Sequence, residues 1–181
     1  MTGPVWLVRH PPVTHAWAGR CYGQSDPGLS RAGLAMLDPL ATSLAAFGPA
    51  LVVHSYWRRT TGLAQRVAQR AACPIIADRR WSERHFGTWK GRSWQAIWRE
   101  TGNAMDGMMT DPHGFRPGGG ETTAELAERA CAAFDALPSG PVVVITHGGP
   151  IAALRARAAG AALEALVAHV PSTGTIVTMR R

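Results

Sequence analysis

The chain has 181 residues, 46% of them hydrophobic and 17% charged, which excludes a disordered segment and suits one domain able to bury roughly 70% of its unfolded surface. Nineteen Lys and Arg against twelve Asp and Glu give a net charge of +7, a balance that suits an anionic ligand. Lys90 is the single lysine and the arginines are dispersed, so there is no basic block of the kind that grips nucleic acid.

Val5-Trp6-Leu7-Val8 is an apolar run without polar alternation that stops on Arg9-His10 and is closed by Pro11-Pro12. That is how a strand buried on both faces of a parallel sheet reads, and His10 falls at its carboxyl end. Residues 11–28 are aperiodic and carry Gly19, Gly23 and Asp26-Pro27-Gly28, a long loop of the functional kind. Ser30 is the N-cap of a helix with apolar positions Leu34, Leu37, Leu40 and Leu44, which Pro39 should kink or break and Gly48-Pro49 closes. A second buried run, Ala50 to Val53, ends on His54-Ser55. Ser55 is the expected cap of a helix reaching about Ala72, with Leu63, Val67 and Ala71 on one face. Arg58 and Arg59 then lie in its first turn, where the helix dipole disfavours cations by a few tenths of a kcal/mol unless an anion is present.

Pro74 to Ala77 reads as a short strand. Trp81 to Gly91 is aperiodic and holds Glu83, and a helix from Ser93 to about Thr101 follows, with Trp94 and Trp98 at i, i+4. A Gly/Pro/Met-rich stretch from Asn103 to Gly120 leads to Thr122 or Thr123, either of which caps a helix through Leu137 with Leu126, Ala130 and Phe134 as its stripe. The third buried run, Pro141 to Ile145, ends on Thr146-His147-Gly148-Gly149, after which Pro150 opens a helix that Gly160 closes. Gly174 to Met179 is a last strand. Strands alternating with helices argue an α/β fold. No apolar run approaches the ~20 residues of a membrane span, the amino terminus lacks the features of a signal peptide, and Cys21, Cys73 and Cys131 are scattered as in a reduced cytoplasmic protein.

Three buried strands thus end on cations or imidazoles, and in one parallel sheet those ends share an edge, the side on which open α/β sheets bind ligands. Gly148 and Gly149 leave backbone amides at a helix amino terminus, a site for an anion. Arg9 and Arg59 supply bidentate donors suited to phosphate or carboxylate. A dicationic field lowers a histidine pKa, so one imidazole, of His10 or His147, can stay neutral and able to attack phosphorus. A general acid is then required, and Glu83 and Glu121 are the carboxylates that stand in aperiodic segments. His15, His54, His85, His113 and His169 lack metal-ligand spacing. Trp17, Tyr22, Trp57, Trp89 and Trp94 are candidates for the wall of an aromatic-substrate pocket.

Five blocks in order make the chain resemble the histidine phosphatase, or phosphoglycerate mutase-like, superfamily. They are Leu7-Val8-Arg9-His10, His54 to Arg59, Trp81 to Gly91, Gly118 to Thr122 and Thr146 to Gly149. The resemblance implies a single three-layer α/β domain over residues 1–181, a mostly parallel central sheet flanked by helices on both faces, with a lid excursion at about 81–121. It implies a phosphatase using His10 as nucleophile, with Arg9, Arg59 and His147 on the phosphoryl oxygens, joined by the amide of Gly148. Glu83 is the proton donor, later taking a proton from water, and no metal or other cofactor is needed. Substrate contacts are expected from Tyr22, Gln24, Ser25, Arg58 and Trp89. The loop Gly19 to Asp26 looks most like the α-ribazole phosphatase branch, which removes a phosphate in cobalamin assembly.

Departures from the pattern are Pro11 for the family glycine, Pro12, Val13 and Ala16 where mutases carry substrate contacts, and Lys90 for a glutamate. A broad-specificity phosphatase or a phosphoglycerate mutase-type phosphotransferase is the alternative activity, the mutase disfavoured by the few residues between Glu83 and His147. An inactive phosphate-binding module or a basic nucleic-acid-binding module are the non-enzymatic readings. The expected partner is a small phosphate ester, with neither nucleic acid nor membrane; a homodimer is left open.

Overall fold

The computed structural model describes residues 2–181. Five strands, β1 (Thr2–Arg9), β2 (Leu51–His54), β3 (Ile75–Ala77), β4 (Gly140–Thr146) and β5 (Ile176–Arg180), form one sheet in the order β3-β2-β4-β1-β5. β1, β2, β3 and β4 run parallel, while β5 pairs antiparallel with β1. The helices are α1 (Arg31–Ala35), α2 (Leu37–Ala45), α3 (Arg58–Ala71), α4 (Trp94–Thr101), α5 (Gly107–Thr110), α6 (Thr123–Asp135) and α7 (Gly148–Ala158), and α2, α3, α6 and α7 cover the sheet.

The uniformly apolar strands find both their faces buried. Trp6 and Val8 pack with Leu37, Leu44, Leu63 and Val67 of α2 and α3 on one side. Val5 and Leu7 pack with Phe134, Ile151 and Leu154 of α6 and α7 on the other. This is the three-layer arrangement that a continuous rather than alternating apolar run demands. Among the described residues no helix is long and apolar enough to cross a membrane.

Local signals placed several boundaries and missed others. Ser30 caps α1 by accepting from the Gly33 amide, and Ser93 caps α4 the same way from Ala96. Thr122, rather than Thr123, caps α6 in a full capping box with Glu125, worth about 1 kcal/mol over alanine. The break foreseen at Pro39 falls at Met36, three residues upstream. There Pro39 becomes the third residue of α2, where its missing N–H costs nothing and its ring no longer clashes with an intrahelical carbonyl. The reset helix axis leaves Leu34 exposed instead of in the core.

Two expected helix starts are corrected. α3 begins at Arg58, not after Ser55, because Tyr56 turns the chain with φ of 81° and Trp57 takes the N-cap position without a side-chain bond. α7 begins at Gly148, two residues before Pro150, with His147 as its N-cap.

Candidate active site

Parallel pairing sets Arg9 opposite Thr146 across the β1–β4 ladder and His54 opposite Ile145 across β2–β4. The residues just beyond those strand ends are therefore brought together. His10 and His147 lie with ring centroids 5.2 Å apart, both buried, and Arg59 at the start of α3 is buried beside them.

Two backbone carbonyls hold His10. Its amide donates to the Thr146 carbonyl (2.9 Å), and its Nδ1 sits 2.8 Å from the Pro11 carbonyl oxygen. A carbonyl only accepts, so Nδ1 carries the proton and Nε2 keeps a free lone pair. Nε2 is buried and has no hydrogen-bond partner among the described residues. Burial, then the charges of Arg59 and Arg9, bring the imidazole pKa down to about 3 against the Pro11 bond, which raises it. The ring is thus neutral at physiological pH. Proline in place of the family glycine removes an amide hydrogen but keeps the carbonyl that His10 uses.

His147 is fully enclosed and its pKa lies well below the usual imidazole range, because of burial first and then Arg59. Its Nε2 is 2.6 Å from Ser55 Oγ, and its Nδ1 accepts from Arg59 Nε at 3.2 Å. Arg59 is further tied to the carbonyls of Ser25 (2.5 Å) and Gly23 (2.6 Å), which is how the aperiodic loop after β1 reaches the site. Arg9 donates from Nη1 to the Pro171 carbonyl (2.5 Å), and its Nε is buried without a partner among the described residues.

Of the two carboxylates open from sequence, Glu83 is at the site. Its Oε1 accepts from the Gly149 amide (3.2 Å) and from the Arg84 amide (2.9 Å). The amides at the start of α7 were expected to hold an anion, and the Gly149 amide is occupied by this carboxylate. Glu121 is instead paired with Arg129 at 2.8 Å and lies outside the cavity lining.

Beside these groups lies a cavity of about 310 Å³ lined by Arg9, Tyr22, Glu83, Gly148 and Gly149. Its other walls are largely apolar: Phe86, Trp94, Met108 and Leu126, with Leu163, Leu166, Val167 and Val170 as a roof. Arg84 and Arg20 also line it. Arg84 is only 5% exposed and donates from Nη1 to Thr123 Oγ1 (3.0 Å).

Not all the residues expected to touch substrate reach this cavity. Tyr22 lines it, with its ring 6.3 Å from that of His10. Gln24 donates instead to the Glu83 carbonyl (3.0 Å), and the Ser25 carbonyl is held by Arg59. Arg58 is corrected: its side chain is 75% exposed and pairs with Asp26 at 2.9 Å. Asp26 also accepts from the Arg58 amide, so the anion that its place in the first turn of α3 called for is a loop carboxylate. Trp89 is corrected too; it is buried in a satellite core with Cys21 and Ile97 because its large apolar surface has a better partner there than the cavity. Sequence reasoning missed Arg84, Ser55 as a partner of His147, and the roof from Leu163 to Val170. Only Arg84 carried a local signal, its place next to Glu83.

A family model for the histidine phosphatase superfamily, branch 1, matches residues 5–180. The chain belongs to that superfamily. This histidine phosphatase is 30% identical over 180 residues to the glucosyl-3-phosphoglycerate phosphatase of Mycobacterium tuberculosis, covering 93% of this chain and 78% of that protein. It is 31% identical over 173 residues to the metal-independent phosphoserine phosphatase of Arabidopsis thaliana, covering 89% and 73%. The structure of mycobacterial glucosyl-3-phosphoglycerate phosphatase with VO3 superposes with a TM-score of 0.84 at 25% identity, over 98% of this chain and 90% of that one. The α-ribazole phosphatase of Shigella flexneri shares the fold, with a TM-score of 0.84 at 21% identity over 97% and 89%. Named phosphatases among its relatives and the family match make this histidine phosphatase a phosphatase enzyme.

Proposed function

We propose that the protein is a phosphomonoesterase working through a phosphohistidine on His10. The observation that carries this reading is the buried, unpartnered Nε2 of a neutral His10 beside Arg9 and Arg59, with Glu83 on the wall of the cavity that Arg9 also lines. In the first step the Nε2 lone pair attacks phosphorus, the bond from phosphorus to the ester oxygen breaks, and its electron pair leaves with that oxygen, which takes a proton from Glu83. In the second, Glu83 takes a proton from water as that water attacks the phosphohistidine, and the electron pair of the N–P bond returns to Nε2. Arg9, Arg59 and the Gly148 amide hold the phosphoryl oxygens, since this chemistry rests on positioning and charge stabilisation. His147, expected to touch them as well, bears on them through Arg59, because its two ring nitrogens are taken up by Ser55 and Arg59.

The proposed substrate is a phosphate ester like α-ribazole 5′-phosphate, as in cobalamin assembly. The aromatic and aliphatic walls of the cavity support a planar apolar leaving group. Arg84 favours a second reading, esters carrying a carboxylate that meets its guanidinium, the class named by the glucosyl-3-phosphoglycerate and phosphoserine phosphatases. Turnover of α-ribazole 5′-phosphate, glucosyl-3-phosphoglycerate, phosphoserine and 4-nitrophenyl phosphate, measured in excess chelator, separates them. At least tenfold higher kcat/KM for α-ribazole 5′-phosphate is expected. If the carboxylates lead and Arg84→Met erases their lead, the second reading replaces the first.

Glu83 depends on its seat against α7. A Cβ on Gly149 would overlap Glu83 Oε1 and press on Leu126. Gly149→Ala is therefore expected to lower kcat/KM about 10- to 100-fold by displacing the carboxylate, while alanine's better helix propensity offsets part of the strain. Kinetics beside a thermal melt check it; unchanged kinetics in a stable variant would remove Glu83 from the chemistry.

We place the protein in the cytoplasm, on the strength of its three free thiols, and assign it a small phosphate ester rather than nucleic acid or a membrane as its partner.

A further inference from the structure

The hydroxyls behind His147 have a fixed direction. Thr60 Oγ1 lies 2.8 Å from the carbonyl oxygen of Trp57, which can only accept, so the Thr60 hydrogen points there. Thr60 Oγ1 then accepts from Ser55 at 3.1 Å, which uses the Ser55 hydrogen. Ser55 Oγ is left to accept from His147 Nε2 at 2.6 Å, so Nε2 bears the ring proton. From the other side of the ring, Arg59 Nε, which can only donate, faces Nδ1 at 3.2 Å and requires it to be bare. A backbone carbonyl at one end of this run of hydrogen bonds and a guanidinium at the other independently demand the same tautomer. All four side chains are buried, so water does not blur the assignment.

We propose that Ser55 and Thr60 are positioning residues that hold His147 as the Nε2–H tautomer, making its Nδ1 the acceptor that aims Arg59 at the phosphoryl site. Arg59 has three anchors, His147 Nδ1 and the carbonyls of Ser25 and Gly23, and the last two belong to a loop. The ring is the anchor fixed to the sheet. In the opposite tautomer Nδ1–H would face Nε–H, donor against donor, and the guanidinium would swing away. With Ser55 unable to accept, only the longer Arg59 contact at 3.2 Å would select between the tautomers, and an Nδ1–H ring could form by turning the guanidinium away. His147 thus acts on the phosphoryl group through Arg59. The tautomer itself is a property of the ligand-free protein; its effect on turnover rests on the phosphatase mechanism above.

The test is ¹⁵N NMR of the His147 ring in the ligand-free protein, for wild type, Ser55→Ala, Ser55→Thr and the near-isosteric Thr60→Val. Wild type and Ser55→Thr are expected to show a protonated Nε2 and a bare Nδ1, and Ser55→Ala and Thr60→Val a mixture of tautomers. An imidazolium or an Nδ1–H ring in wild type, or an unchanged tautomer in the folded Ser55→Ala and Thr60→Val variants, would overturn the proposal. In parallel, the inhibition constant of inorganic phosphate is expected to rise about tenfold in Ser55→Ala and to recover in Ser55→Thr; a shifted tautomer with unaltered phosphate affinity would also overturn it. Because the ring signals need no turnover, failure of the tautomer assignment is distinguishable from failure of the hydrolase reading.

Discussion

His10→Ala is expected to cut turnover on the order of 10⁴-fold or more and to abolish acid-labile phosphate on the protein after a quench, with the fold retained. The size follows from the absence of a substitute. His10 Nε2 is the neutral nitrogen left free at the site, whereas His147 has both ring nitrogens engaged, by Ser55 and Arg59. Positioning by Arg9 and Arg59 would survive the substitution, but it accelerates nothing without an attacking atom. A variant that still acquires label would move the nucleophile elsewhere; one that loses label but keeps turnover would point to direct attack by water. Burial also couples this ring to stability. His10 is neutral when folded down to about pH 3, and unfolded it titrates near 6.5. The unfolded chain therefore binds a proton that the native state does not, and stability falls as pH drops from 6.5 toward 3, by about 1.4 kcal/mol per pH unit for that group. Urea unfolding at pH 4.5 and 7 is expected to show this loss in wild type and a smaller one in His10→Ala.

Glu83→Gln is expected to lose about 10²- to 10⁴-fold in kcat/KM on esters of ordinary alcohols and far less on 4-nitrophenyl phosphate. An alkoxide needs a proton as it departs; a nitrophenolate does not. Glutamine keeps the carbonyl that can accept from the Gly149 and Arg84 amides, so the seat on α7 is preserved while the proton is removed. A plot of rate against leaving-group pKa should therefore be shallow in wild type and steep in the variant. Equal losses on both ester types would mean that the residue orients substrate and does not donate.

Much of the site was legible along the chain. Uniformly apolar strands ending on Arg9-His10, His54-Ser55 and Thr146-His147 already placed three polar ends on one sheet edge, because a parallel sheet buried on both faces needs such strands and leaves their ends free. Ser30 and Ser93 announced their helices through an oxygen three residues from the amide it caps. These are short-range effects, and a sequence displays its short-range chemistry openly.

Tertiary structure decided what depends on partners far away in the chain. Spacing left Glu83 and Glu121 alike and the family resemblance chose Glu83; the physical reason is tertiary, since its carboxylate meets the Gly149 amide 66 residues on while Arg129 claims Glu121. Ser55 was expected to cap a helix; a contact 92 residues distant makes it the acceptor for His147 instead. Arg58 and Arg59 are adjacent and alike in sequence, yet one is drawn out to Asp26 and the other is buried against His147. Trp89 was expected to touch substrate, and the space beside Cys21 and Ile97 took it into a core instead. Residue type sets what a side chain is able to bond or bury. Which of the competing partners it meets is settled by the packing of the whole chain, since desolvated groups must each find a partner and the supply within the site is fixed.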